Sequence, residues 1–477
     1  MKYLIPVLLL SIGGRGYAQQ PFDVDTAFRT PIDQVYVSSV MPLEDGRLVV
    51  SGLMEFAGIS GQPALAALEP DGSLAPDFAV TDLGQGRLTP WQNGLFYVGT
   101  SSTVRRILPS GNVDPSFIGM NTDPHFSSGQ GGDYHLYPDG RVLMTGYHGV
   151  NDPVRGFNGL YSLIWFTNTG HYDTTRAPHA TNGPIYHIAQ LPNGQFYCGG
   201  GFTQYEGIPA YALLRVQPDG AYDPSFHTNI LWGEPQALCV LPDGRVWVGG
   251  DFIFQGGTDT LRLMRFLPDG GLDPTFNTSH TFSSTNSPNQ HLTMIINITE
   301  LDPNRFVVTG YFDRIDSEVH GGIAMFDSTG TLLDNYFQGS SAGTWTYMNA
   351  TGATVVGITP TGDGDFWIYG SYHGYDDGTT NDPSQRMVSK LKGLSVGVPE
   401  SPVVVAKGSL SVSPNPSTGL FTLGQAAEQI SVYNAQGRLL FRQHDREVDL
   451  SAYPPGLYTA VVRTAQGVGS IRLMVQR

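Results

Sequence analysis

Two histidines stand in matching Tyr-His-Gly contexts, His148 after Tyr147 and His373 after Tyr372. A histidine can ligate a metal or bind a ligand, because its imidazole changes charge near neutral pH. Packing inside a loop is the alternative interpretation, since neighbouring segments carry phenylalanine near this place. The sequence therefore names these four residues as candidate binding residues and leaves packing open.

A second candidate is the acidic stretch that contains Asp376, Asp377 and Asp382. Carboxylates are calcium ligands, but calcium needs six or more converging oxygens, and the spacing of an EF-hand loop is not met. Solvated acids in turns are the alternative. Asp376 and Asp377 join the candidate binding residues; calcium is the one cofactor considered, and otherwise no cofactor and no metal site are expected.

Hydrolysis of a glycosidic bond would need a pair of carboxyl groups across the bond. Glutamate is scarce, and turn chemistry accounts for most aspartates, whose side chains bind local backbone there. The aspartates of Pro-Asp-Gly turns are Asp71, Asp139, Asp219, Asp243 and Asp269, and those that open Asp-Pro-Ser/Thr-Phe are Asp114, Asp223 and Asp273. No phosphate-binding loop, metal-binding helix or nucleophile elbow is present. The sequence thus predicts no catalytic residue.

Composition narrows the partners and the fold class. The 42 acidic residues outnumber the 26 basic ones, and the net charge of −16 disfavours binding to nucleic acid or an anionic membrane. With 60 glycines and 33 prolines in 477 residues, long helices are not expected. Aromatic residues at 11% supply enough apolar surface for a folded core. An all-β protein is the expectation.

An internal repeat positions these residues. Residues 188–226 and 238–276 show the same pattern, each with two Asp-Gly or Asn-Gly hairpin signals between alternating runs. We predict four strands per unit, the fourth ending in Asp-Pro-Ser-Phe or its variants. The first of the two turns occurs seven times in the chain. The seventh unit lacks an ending of the Asp-Pro-Ser-Phe type, and a similar segment occurs instead near the N-terminus, at residues 25–28. Residues 22–393 are therefore predicted to form a seven-bladed β-propeller, closed by the N-terminal strand.

The fourth repeat unit contains Gly-Gly-Gly-Phe-Thr at 199–203, Leu-Arg-Val at 214–216, and Pro-Asp-Gly through Asp-Pro-Ser-Phe at 218–226. This unit and the fifth, at residues 238–276, resemble the delta-sixty repeat family, a propeller-forming repeat of uncharacterised function. The resemblance implies the fold and not the chemistry.

The N-terminus predicts export. Residues 1–18 have a basic start, an apolar core and a small-residue exit, as a secretory signal peptide does. No later apolar run is long enough to span a bilayer, so no transmembrane segment is expected in the mature chain. Cys198 and Cys239 are interpreted as two buried thiols, with a disulfide as the alternative that export allows.

The C-terminal region differs in pattern. Residues 394–409 read as a linker, and residues 410–477 predict short strands of a small Ig-like β-sandwich. Its motif residues are Pro414, Asn415, Pro416, Gly419, Gly437, Tyr453, Pro454, Gly456 and Tyr458. This run resembles the type A C-terminal sorting domain of type IX secretion substrates in Bacteroidota. The resemblance implies that the type IX machinery is a partner and that the protein is secreted or held at the cell surface; an adhesive Ig-like module is the alternative.

Function is predicted from these parts. The tight turns share one propeller face, so the longer segments at 118–133, 147–159, 277–292, 311–321, 338–351 and 372–384 share the other, where sites are usually grafted. We expect a non-enzymatic protein that binds a glycan or a protein through this loop-rich face. An extracellular polysaccharide hydrolase or lyase with carboxylates at the tunnel mouth is the alternative, and a surface protein without a discrete ligand is a third.

Overall fold

The computed structural model describes residues 20–285, 293–347, 350–394, 411–424, 427, 429–434, 439–464 and 467–476. The predicted signal peptide, nearly all of the predicted linker and Gly437 lie outside these residues. The described chain is built from β-strands, with short 3-10 turns at Gln92–Gly94 and Met120–Thr122. Within it, no helix is long and apolar enough to cross a membrane.

Seven antiparallel sheets, numbered here in chain order as sheet 1 to sheet 7, follow one another in the described part of residues 32–391. Their first strands are Ile32–Pro42, Leu88–Pro90, Phe126–Leu136, Ile185–Gln190, Ile230–Val240, Met294–Asp302 and Thr354–Pro360. Their second strands are Leu48–Phe56, Phe96–Gly99, Val142–Asp152, Phe196–Gly200, Val246–Phe254, Arg305–Tyr311 and Phe366–Asp376. Their third strands are Leu65–Leu68, Val104–Ile107, Phe157–Phe166, Leu213–Val216, Leu261–Phe266, Ile323–Phe326 and Asn381–Leu391.

Additional short strands accompany sheets 4, 6 and 7. Gln204–Tyr205 pairs with Ile208–Pro209, and Arg314–Ile315 pairs with both Phe282–Ser283 and Glu318–Val319. Near sheet 7, Ser341–Ala342 pairs with its second strand, while Trp345–Tyr347 pairs with Ala350–Gly352. These additions follow the second strands or precede the first strands, so they lie on the face opposite the tight turns.

The Pro-Asp-Gly turns have the chemistry that the sequence predicts. Gly244 and Gly270 have φ of +87° and +92°, which a side chain would disfavour. The preceding aspartates accept hydrogen bonds from the backbone two residues on, Asp243 from Arg245 and Asp269 from Gly271. The aspartates of these turns thus bind backbone.

The predicted fourth strand is wrong as a regular strand. In each of the first six sheets, the chain after the second turn makes only one or two isolated bridges to the third strand, as between Val216 and Tyr222. Asp223 then accepts hydrogen bonds from the backbone N and the hydroxyl of Ser225, at 3.0 and 2.7 Å. Because that Asx-type turn competes with the ladder and Pro224 has no N–H to donate, the strand ends there.

The core is divided among neighbouring sheets. Seven clusters of buried side chains each join two consecutive sheets, the last joining sheet 7 to sheet 1. The Phe at the end of a unit enters the cluster shared with the next sheet, as Phe226 does between sheets 4 and 5. Trp247 of sheet 5 stacks on Phe306 of sheet 6 with ring centroids 4.3 Å apart. This closed sequence of sheet contacts is a β-propeller.

The N-terminal segment closes the ring. Val24 forms an antiparallel bridge with Leu391, the last residue of the third strand of sheet 7. Around it, the backbone N of Phe22 donates to Lys392 O at 3.0 Å, and the N of Lys392 donates to Asp23 O at 2.9 Å. In the other six units, the segment after the second turn bridges the third strand of the same sheet. In sheet 7, the N-terminal residues before Phe28 make this bridge instead.

Two further features complete the fold. Cys198 and Cys239, on strands of sheets 4 and 5, are both present as thiols, and burial raises the pKa of Cys198. The C-terminal strands form two sheets around one core. One contains Val412–Ser413, Leu420–Leu423 and Glu447–Asp449, and the other Leu439–Gln443, Gln429–Tyr433, Gly456–Thr464 and Gly467–Val475. The Ig-like classification of this module stays a prediction.

Candidate functional site

A cleft of about 490 Å³ opens where sheets 4, 5 and 6 meet. It is lined by residues 201–203 and 211–212 of sheet 4, 230–234, 236 and 250–251 of sheet 5, and 293–294 beside sheet 6. Apart from Gly250 and Asp251, which lie within the second strand of sheet 5, these are the starts of first strands and the segments between second and third strands. The cleft therefore opens towards the face opposite the tight turns. Its volume falls in the range of about 300–1,000 Å³ that small-molecule sites occupy.

Large apolar side chains are exposed along this cleft. Trp232 is 60% exposed, Leu231 55%, Tyr211 43% and Met294 36%. Single exposed apolar residues are ordinary, but a contiguous set that rims a concave surface marks an interaction site. Two of the four are aromatic and offer flat faces together with a hydrogen-bonding group.

Polar groups stand among these apolar ones. Burial raises the pKa of Glu234, and a hydrogen bond with Gln236 partly offsets that rise. The Asp251 carboxylate forms an ion pair with Arg262 across 2.8 Å. Within the described chain, the hydroxyl of Thr293 is buried without a hydrogen-bond partner. The cleft therefore combines carboxylate and amide groups with its apolar side chains.

Strand irregularities position these side chains. The first strand of sheet 5 has bulges between Ile230 and Trp232 and between Pro235 and Ala237. Bulges re-aim side chains and are frequent beside functional sites. Between the two bulges Glu234 pairs directly with Asp251 of the second strand. Directly opposed residues have Cβ atoms roughly 4.5–5.5 Å apart, so the two side chains leave the sheet next to each other on the same face.

The polar surface continues onto the neighbouring first strands. The Tyr186 hydroxyl of sheet 4 accepts a hydrogen bond from Gln130 Nε2 of sheet 3 at 2.7 Å. Burial raises the pKa of Tyr186, and the negative charge of Glu234 raises it further. Polar side chains are therefore present on the first strands of sheets 3 and 4 as well as on that of sheet 5.

The candidates Tyr147 and His148 lie on a strand and not in a loop, because the hairpin of sheet 3 extends to Asp152. His148 is fully buried. Its Nδ1 accepts from the N of Gly129 at 3.1 Å, and its Nε2 lies 3.0 Å from Thr145 O. Burial lowers its pKa. Both ring nitrogens therefore contact backbone atoms, as the packing interpretation of this histidine expects. Tyr147 is half-buried on the same strand.

Tyr372 and His373 lie on the second strand of sheet 7. Tyr372 is fully buried, and its hydroxyl contacts Ser389 Oγ at 2.8 Å. His373 is half-buried; its ring stacks on Trp345 at 4.6 Å, and its Nε2 lies 2.8 Å from Asp33 O. These contacts hold sheet 7 to its neighbouring segments. A ligand role for either residue stays a prediction.

Asp376 and Asp377 bind backbone and hydroxyl groups. Asp376 accepts from the N of Ser340 and Gly378 at 3.2 and 2.9 Å. Asp377 is buried and accepts from the N of Val24 and Thr379, both at 2.8 Å. In the part of the chain that the structure describes, no group of three or more His, Cys, Asp and Glu could hold a metal ion.

The six predicted binding residues are thus divided between sheets 3 and 7, and none of them lines the cleft. Trp232, Tyr211 and Glu234 were not predicted. The one local signal was Leu231-Trp232 at the loop end of a first strand, where two adjacent large apolar residues cannot both face the core.

The motif residues of the C-terminal module have structural roles. Asn415 Nδ2 donates to Arg472 O at 2.7 Å, and Asn415 Oδ1 accepts from the N of Met474 at 2.9 Å. The Tyr458 hydroxyl donates to Pro454 O at 2.6 Å. A Cβ on Gly419 would lie 2.6 Å from Ser451 Cα, which excludes larger residues there. Pro414, Pro416, Tyr453 and Gly456 belong to the same described module.

Comparison with known families identifies both parts of the chain. Residues 191–226 and 241–276 match DUF5122, described as a domain of unknown function that forms a β-propeller. Residues 411–476 match the secretion system C-terminal sorting domain. No curated protein sequence is recognisably similar to the chain.

Solved structures show distant similarity of fold. The extracellular domain of a protein from B. thetaiotaomicron described as a one component system is 10% identical, with a TM-score of 0.41 over 97% of this chain and 58% of that protein. A gluconolactonase from Xanthomonas campestris is 12% identical, with a TM-score of 0.35 over 76% of this chain and 97% of that protein. The chain therefore carries β-propeller repeats of the DUF5122 type and ends in a type IX secretion sorting domain, which directs it to the cell surface or the outer membrane.

Proposed function

We propose that this exported propeller is a glycan-binding protein and that its binding site is the cleft between sheets 4, 5 and 6. The observation that carries the proposal is the exposed pair Trp232 and Tyr211 beside Glu234 and Gln236 in one concavity. A pyranose ring presents C–H groups on its faces and hydroxyls on its rim. Aromatic faces flanked by carboxylate and amide groups are the complement of that pattern.

The shape of the site favours a glycan over a protein partner. Stable protein interfaces bury about 800 Å² on each side and are broad. The exposed apolar residues here line a concave cleft of about 490 Å³. The sorting domain supports this function, because it delivers the cleft to the surface, where polysaccharides occur.

A panel of immobilised polysaccharides tests the proposal. The mature full-length protein should be retained by at least one neutral polysaccharide, and Trp232→Ala should abolish retention. The matched control is Val154→Ala, which also removes an exposed apolar side chain, 94% exposed in the turn between the second and third strands of sheet 3. If Trp232→Ala and Val154→Ala are retained equally, or if no polysaccharide retains the protein, the proposal is wrong.

Glycoside hydrolysis is a second candidate, favoured by the pairing of Glu234 with Asp251. Burial raises the pKa of Glu234, as a general acid requires, whereas Asp251 forms an ion pair with Arg262. Such a pair could act as acid and as nucleophile or base on a bound sugar. Release of reducing ends from the retained polysaccharide, lost in Glu234→Gln, would establish this activity; binding without release supports the non-enzymatic proposal.

A further inference from the structure

The charged residues that line the cleft bear on which glycans it binds. Among the described residues that line it, Glu234 and Asp251 are the charged ones, and no lysine, arginine or histidine is present. Arg262, which lies beside the cleft, contacts Asp251 at 2.8 Å and donates to Phe282 O at 3.1 Å. The cleft therefore offers acceptors and negative charge to a ligand.

We infer that the cleft binds saccharide units without acidic groups and that Glu234 is the residue that excludes uronic acids and sulfated sugars. This inference rests on the proposed function. Glu234 is the specificity-determining residue because Asp251 already has a cation beside it, whereas Glu234 is bonded to the neutral Gln236.

Glu234 acts on the two ligand classes in opposite ways. Its carboxylate accepts hydrogen bonds from sugar hydroxyls, and such charge-assisted bonds are stronger than neutral ones. A carboxylate or sulfate on the ligand would instead meet a like charge in a partly desolvated site, where repulsion is larger than in water. Specificity then arises from a repulsive element as well as from attraction.

The net charge of the whole protein has to be separated from this local effect. A chain with a net charge of −16 repels any polyanion at long range. Glu55 provides the matched control, because Glu55→Gln changes the net charge by the same amount from sheet 1. Its side chain is bonded to Gln62 at 2.8 Å and does not line the cleft.

Three pairs of polymers that differ mainly in charge form the test: dextran and carboxymethyl-dextran, hydroxyethylcellulose and carboxymethylcellulose, and methyl-esterified and de-esterified homogalacturonan. For each pair that contains a ligand, we expect the neutral form to bind the mature protein at least tenfold more tightly than the charged form. Glu234→Gln should reduce that ratio to about threefold or less, and Glu55→Gln should leave it unchanged.

The outcomes separate the inference from the proposed function. Binding of charged forms as tight as neutral ones, or a ratio that Glu234→Gln and Glu55→Gln lower equally, would overturn the inference while the cleft remains a glycan site. Loss of all binding in Trp232→Ala together with a preference for the charged polymers also overturns the inference alone. Absence of binding to every polymer, charged or neutral, overturns both.

Discussion

Glu234 and Asp251 are cross-strand partners in sheet 5, and both line the same cleft. Their environments differ, because Asp251 has the guanidinium of Arg262 at 2.8 Å while burial raises the pKa of Glu234. Two carboxyl groups in different environments can take different roles towards one ligand. This asymmetry is the basis of the proposed charge selectivity and of the alternative, hydrolytic proposal.

The ion pair between Arg215 and Asp223 should make stability depend on pH. Burial alone would raise the pKa of Asp223, but hydrogen bonds from Ser225 and the Arg215 guanidinium, 2.7 Å away, lower it to about 2. The unfolded chain binds a proton near pH 3.9, so the contribution is complete above that pH and is lost as the pH falls to about 2. Asp223→Asn should therefore lower the free energy of unfolding by about 2 kcal/mol at pH 7.

Denaturant unfolding at pH 7 and at pH 2 checks this expectation. The variant and the wild type should differ at pH 7 and converge at pH 2. Asp219→Asn, in the exposed turn of the same sheet, is the control and should have a small effect. A loss of stability in Asp223→Asn that is equally large at both pH values would contradict the account.

Asp377 should be needed for ring closure. Its buried carboxylate binds the N of Val24 and the N of Thr379, both at 2.8 Å. In Asp377→Ala the N–H of Val24 loses its acceptor, which costs about 1–3 kcal/mol. Hydrogen exchange should show faster exchange at residues 22–25, and the melting temperature should fall. Asp376→Ala is the control, because Asp376 binds Ser340 and Gly378 instead; equal exchange in the two variants would contradict the assigned role.

His148 should matter for folding and not for ligand binding. Removing its ring leaves the N of Gly129 and the carbonyl of Thr145 without their contacts inside sheet 3. His148→Ala should therefore lower stability by about 1–3 kcal/mol. Glycan affinity, measured well below the melting temperature, should equal that of the wild type. A selective loss of affinity with unchanged melting would instead support the ligand role that the sequence suggests.

The fold was largely predictable because its information is local. Turn glycines such as Gly244 set the hairpins, and the motif at residues 25–28 indicated how the ring closes. The prediction of a regular fourth strand was wrong, although the sequence contains the reason: neither Asp223 nor Pro224 is suited to a β-ladder. The candidate site was less predictable. Tyr211, Trp232 and Met294 come together only through the packing of sheets 4, 5 and 6. The hairpin of sheet 3 is longer than predicted, so His148 lies in a strand and not in a loop.

Calorimetric titration of the mature protein with the neutral glycan that it retains best tests the central claim most directly. Stacking on Trp232 and Tyr211 should supply much of the affinity, so Trp232→Ala should raise the Kd at least tenfold, or about 1.4 kcal/mol, and Tyr211→Ala should raise it by several-fold. Val154→Ala should leave the Kd unchanged, and all variants should melt like the wild type. A Kd for Trp232→Ala equal to that of the wild type would contradict the assignment of this cleft as the glycan site.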